Sequence, residues 1–192
     1  MRRFIGVFVS AIILFTLSFA QGKSSVRGNV FREEGMGLTY EFPERFRPKV
    51  EENKKLFGDD ASGRERMILT LWDSPERGDA LRMAFLYDAK QRSSDRTHDT
   101  IALAYLGEIR QMWRSVKGVK VDSPTKVSQP SYDYWRLDFS APDQVPHYNS
   151  AIVITLSDRR VLVVRAGAPS QSELDSEVSS LAQMRFDKSQ KE

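Results

Sequence analysis

The sequence contains no cysteine. A disulfide frame, thiol catalysis, iron–sulfur clusters and cysteine zinc sites are therefore excluded. Histidine is nearly as scarce: only His98 and His147 occur, far apart, so two imidazoles at ligand spacing are lacking. No glycine-rich phosphate loop precedes a helix. No Gly-x-Ser-x-Gly elbow supports a serine hydrolase, which leaves hydrolysis the least favoured chemistry. An excess of one charge is also missing. There are 29 Lys and Arg against 26 Asp and Glu, and removal of Arg2 and Arg3 with the acid-free segment 1–20 brings the net charge from +3 to +1. That balance argues against a nucleic-acid partner, which would call for a basic face. Residues 44–66 are dense in charge, but both signs alternate, as in a solvated face or loop. The adjacent acids Glu51-Glu52 and Asp59-Asp60 read as solvated rather than as a carboxylate pair across a cleft.

What is present begins at the N-terminus. Arg2-Arg3 precedes an apolar run from Phe4 to Ala20, which closes on Ser18-Phe19-Ala20 before the polar Gln21–Ser25. This order is that of a secretory signal peptide over residues 1–20. The competing reading, a retained anchor, requires an apolar run of ~20 residues, longer than this one. The expected location is secreted, periplasmic or extracellular, with no stable membrane span after cleavage. The remaining 172 residues make one domain and an expected monomer. Residues 21–35 read as a flexible leader, 36–187 as the domain, and 188–192 as a polar tail.

Within the domain, Leu38–Phe42 alternates apolar and polar as a half-buried strand does, and Pro43 stops it. Residues 49–64 carry no clear pattern, with a loop at 58–63. Residues 67–73 and 80–88 read as antiparallel neighbours. Thr97 is placed to cap a helix whose face is Ile101, Tyr105, Ile109, Met112, Trp113 and Val116. Lys117-Gly118 is its expected stop, and residues 119–127 suit a strand. In 132–140, Trp135, Leu137 and Phe139 face one way, and Tyr132, Tyr134, Arg136 and Asp138 the other. Residues 147–156 and 161–166 form a hairpin across Ser157–Arg160. Ser170 and Glu173 have capping-box spacing before a helix with Leu174, Val178 and Leu181 on its buried stripe. Strands, helix, strands, helix in this order, joined by short turns, predict an α+β fold: a largely antiparallel sheet flanked by helices in an α/β/α sandwich.

Two stretches carry a resemblance. Gly37–Phe46 (Gly-Leu-Thr-Tyr-Glu-Phe-Pro-Glu-Arg-Phe) resembles the opening strand of the Mog1/PsbP-like fold, with its Phe-Pro-x-x-aromatic ending. The C-terminal order is similar: strands Tyr148–Leu156 and Val161–Ala166, the turn Ala168-Pro169-Ser170, a helix from Glu173, and Met184-Arg185-Phe186. The resemblance spans residues 36–187. It implies an antiparallel sheet between helices and a non-catalytic role of binding or stabilising other proteins, and it carries over no site residue and no cofactor.

Two candidate sites remain. Tyr132, Tyr134, Arg136 and Tyr148 combine residue types enriched at binding hot spots, and they would engage another protein of the cell envelope. Packing under a helix is the competing reading, and loss of folding on replacing Tyr134 and Arg136 would mark it. Asp95, His98 and Asp99 form a candidate metal cluster at a helix start, where caps and solvated side chains are the commoner use of such residues. A small-molecule or metal-ion module with a pocket between sheet and helix is the alternative to protein contact.

Overall fold

The computed structural model describes residues 24–50, 65–74, 79–86, 96–143 and 145–191. Residues 1–20, expected to be a signal peptide, residues 51–64 of the patternless stretch 49–64, and Asp95 lie outside these. The strands are β1 (Ser24–Arg27), β2 (Val30–Glu33), β3 (Leu38–Glu41), β4 (Arg47–Val50), β5 (Glu65–Ser74), β6 (Asp79–Leu86), β7 (Lys120–Val121), β8 (Thr125–Ser128), β9 (Asp133–Ser140), β10 (Tyr148–Thr155), β11 (Val161–Ala168) and β12 (Met184–Phe186). Helix α1 (His98–Arg114) separates β6 from β7. Helix α2 (Gln171–Ser179) and a 3-10 turn (Ser180–Gln183) separate β11 from β12.

Every described strand pair is antiparallel, as the short connections require. The main sheet runs β4-β5-β6-β11-β10-β9-β7, with β8 also on the outer edge of β9. A second sheet runs β1-β2-β3-β12. The main sheet is apolar on both faces. Along β10 and β11, Ala151, Val153, Val161 and Val163 point to one side, where Ile101, Ala102, Leu106 and Ile109 of α1 meet them. Ile152, Ile154, Leu162 and Val164 point to the other side, where they join a core with Leu174 and Val178 of α2 and with Phe31, Leu38, Tyr40, Met184 and Phe186 of the small sheet. The α+β sandwich expected from the strand and helix order is thus the fold, with a second sheet added to the α2 layer.

The helix signals act as read. Thr97 Oγ1 accepts from Thr100 N at the start of α1, and Ser170 Oγ accepts from Glu173 N at the start of α2, in each case satisfying one of the first-turn amides. The α1 stripe differs at its end. Ile101, Ile109 and Trp113 face the sheet, and the Trp113 ring stacks on Phe139 at 4.6 Å. Met112 and Val116 are 48% and 37% exposed. The outermost strand beneath this part of the helix, β7, is two residues long, so the last turn extends beyond the cover the sheet provides.

Two boundary expectations need correction. Residues 24–33 of the supposed leader form a hairpin: Arg27 pairs with Val30, leaving Gly28-Asn29 as a two-residue loop with Gly28 at φ +59°. A left-handed glycine in a two-residue connection is what this turn requires, and it places Phe31 in full burial. The supposed tail is docked. Gln190 is 6% exposed; its N–H donates to Ser131 O, its Oε1 accepts from Ser157 N, and its Nε2 donates to Lys188 O.

Candidate functional site

The main sheet ends on one side where β9 stops, β10 starts and β11 turns into α2. The connection from Ala141 to His147 is tied at three points. Ala141 N donates to His147 O at 2.8 Å, and Asn149 Nδ2 donates to Pro146 O at 3.1 Å. The Pro146 ring lies against Gly167 of β11, so close that a Cβ at residue 167 would sit 2.5 Å from Pro146 Cγ. Gly167 is thus a position where only a missing side chain lets the loop pack down.

This connection walls a cleft of about 460 Å³ lined by Gly118, Lys120, Ser140, Pro142, His147, Tyr148 and Pro169. Its elements come from four places: the end of the α1–β7 turn, the end of β9, the start of β10 and the entry to α2. Gly118 adopts φ +82° there, turning the chain from α1 into β7. No carboxylate belongs to the described lining. The Nδ1 of His147 is buried without a hydrogen-bond partner among the described residues. Val145, 66% exposed, stands on the same loop; the exposed Met112 lies on the last turn of α1, and the exposed Val116 lies in the turn between α1 and Gly118. An exposed apolar side chain, Val145, thus stands on the loop that walls a cleft whose polar lining is basic or hydroxylic.

The sequence-predicted residues are divided by the fold. Tyr148 lines the cleft. Tyr132 and Tyr134 are 1% and 5% exposed and belong to the α2-side core. The Tyr132 hydroxyl donates to Leu181 O at 2.5 Å, and its ring meets Phe186 edge-on at 5.5 Å. Burial raises the pKa of both phenols. These two rings are not available to a partner, because α2, its following turn and the small sheet cover that face of β9. Arg136 lies on the same face, clamped between Asp138 Oδ1 at 2.8 Å and Asp175 Oδ1 of α2 at 2.6 Å. Burial works against its charge, and these two carboxylates outweigh it, so its pKa stands above the ordinary value. Arg136 fastens α2 to β9.

The metal candidate meets a different arrangement. His98 and Asp99 border a cavity of about 30 Å³ together with Lys126, Asp133, Trp135 and Lys191. Asp99 accepts from Lys126 Nζ and from Trp135 Nε1, both at 2.9 Å. The Lys126 and Trp135 hydrogen bonds lower its pKa, against the opposing effect of burial. Two lysines beside the carboxylates disfavour a cation, and among the described residues no group of three or more ligand-type side chains could hold a metal ion. Asp99 works here as a helix-start anion that pins β8 and β9 to α1.

Sequence reasoning missed Lys120, Ser140, Pro142 and Pro169, each of which stands at an element end. The usable signal was the pair of prolines flanking β10 and β11 at one level of the sheet, with Gly167 between them in register with Asn149.

No family model matches this sequence, and no curated protein matches it. Among solved structures, the chain is similar to the solution structure of cyanobacterial PsbP (CyanoP) from Synechocystis sp. PCC 6803, at 12% sequence identity, covering 78% of this chain and 86% of that chain with a TM-score of 0.47. No helix among the described residues is long and apolar enough to cross a membrane.

Proposed function

We propose that this is an exported, non-catalytic accessory protein that binds another protein of the cell envelope through the cleft at the end of the main sheet. The observation that carries the reading is the cleft itself: a 460 Å³ concavity with Lys120, Ser140, His147 and Tyr148 in its lining, and Val145 exposed on the loop that walls it. The other candidate clusters are committed to the fold, Arg136 to α2 and Asp99 to Lys126 and Trp135. The apolar run Phe4–Ala20 and its polar flank support export. A small-molecule module is the second reading, favoured by a volume inside the ~300–1,000 Å³ range of ligand pockets.

Site-specific photo-crosslinking in the source cells tests the contact. A crosslinker at position 145 should give one discrete protein adduct, which Met112→Glu should diminish. The same group at Asp158, at the opposite end of β10 and β11, should give none. Equal yields from both positions would refute a localised contact at the cleft. Intact-mass measurement of the exported protein should show a start at Gln21, and a start at Met1 would end the cleavage reading.

A further inference from the structure

We propose that the cleft at the end of the main sheet recognises a carboxylate carried on an apolar body. The inference rests on the reading of that cleft as the binding site, and it specifies the chemistry the site accepts.

The sign of the ligand follows from the lining. Lys120 is exposed and makes no ion pair with a described residue, and the described lining contains no acid. Lys117 immediately precedes Gly118, adding a second positive charge in the same turn. One described acid, Asp143, stands close by: its Oδ2 is 3.8 Å from where a Cβ on Gly118 would be. Lys117 and Lys120 together outnumber Asp143 at this end of the cleft, so an anion entering it meets a net positive charge and an ammonium donor.

The kind of anion follows from the donors. Lys120 supplies an ammonium, and Ser140 and Tyr148 supply hydroxyls. His147 supplies an imidazole whose Nδ1 is buried and unpartnered among the described residues. Two walls are Pro142 and Pro169, which have no backbone N–H to offer. The described lining holds no arginine fork, and its single ammonium with two hydroxyls suits a singly charged carboxylate better than a doubly charged phosphate. A carboxylate needs only two acceptor oxygens satisfied, and its remaining body would lie on the proline rings and the Tyr148 ring. Both a free small carboxylate and the C-terminal carboxylate of a protein present this chemistry.

The test uses the full exported chain, labelled with nitrogen-15, and four probes: benzoate, benzamide, an acetylated pentapeptide ending in phenylalanine with a free carboxylate, and its amidated twin. At least one carboxylate probe should shift the amides of residues 118–121 and 140–148 saturably, while its neutral counterpart leaves them unmoved. Lys120→Gln should weaken that binding about tenfold, the loss expected for one hydrogen bond to a charged group. Tyr148→Phe keeps the ring and serves as a second variant, also weakening it. Peptide binding without benzoate binding identifies a protein terminus as the source, and the reverse identifies a small acid. Silence from both carboxylates, equal shifts from the neutral twins, or unchanged affinity in both variants overturns the proposal. Because crosslinking from position 145 does not depend on carboxylate binding, a discrete adduct combined with silent probes refutes the ligand chemistry alone. Carboxylate binding without any adduct refutes the protein-contact reading alone.

Discussion

Truncation after Asp187 should destabilise the protein, although it removes only residues whose composition is that of a solvated tail. Gln190 is almost fully buried and ties its own segment to two distant ones. Its N–H reaches Ser131 at 2.9 Å, and its side chain accepts from Ser157 N and donates to Lys188 O, each at 2.7 Å. Two of these bonds cross to distant parts of the chain, and each contributes about 1 kcal/mol. Lys191 adds an ion pair with Asp133 at 3.5 Å between exposed side chains, which adds little. The expected loss is about 2 kcal/mol, which in a domain of this size lowers the melting temperature by about 4–8 °C. Circular dichroism melts of the full chain, of Gln190→Ala and of the truncated form measure it, with Lys191→Ala as a control that should shift little. Gln190→Ala should recover roughly half of the effect, because the backbone bond to Ser131 survives. A truncated protein that melts within about 1 °C of the full chain would show that these hydrogen bonds contribute nothing net.

Further expectations concern the core, the cleft loop and pH. Tyr132→Phe removes one of two donors to Leu181 O, which keeps the N–H of Met184, so it should cost about 1 kcal/mol in urea unfolding; an unchanged midpoint would mean the phenol bond contributes nothing net. Gly167→Ala puts a Cβ 2.5 Å from Pro146 Cγ, a collision with a ring that cannot swing away. It should cost about 1–3 kcal/mol and shift the amides of residues 141–149, and a neutral effect would show the loop is free to lift. Burial pushes the Tyr40 phenol up to about 12 from its ordinary 10.0, and burial also raises Tyr132 and Tyr134. The unfolded chain ionises these groups first, so their contribution to stability is complete below pH 10 and falls as pH rises toward 12. Urea midpoints measured across that interval should decline with pH, more gently in Tyr40→Phe. A flat profile would contradict the burial of these rings.

The alternation in 132–140 told which side chains share a face, because a strand's period of two is fixed by its backbone. It did not tell which face lay open, and so Tyr132 and Tyr134 had equal standing as contact residues and as core. That choice was made by α2 and the small sheet, which reach β9 from far along the chain. The hairpin at 24–33 was legible in principle: Gly28-Asn29 is a two-residue turn signal, obscured by the charged residues around Val26, Val30 and Phe31. The short β7 explains why Met112 and Val116 matched the helical period but found no cover. The cleft could not be read beforehand, since Lys120, Ser140 and Pro169 become neighbours only through strand register, and register is a tertiary property.

The small sheet places β12 beside β3, so the last described strand of the chain completes a layer begun by the first three. Phe31 and Tyr40 therefore stay wet until Met184 and Phe186 arrive, and nearly the whole polypeptide has to be delivered before the interior can seal. Assembly of this kind is governed by non-local pairing and is correspondingly slow. Under the export proposed above, that delay would keep the chain threadable until β12 had crossed.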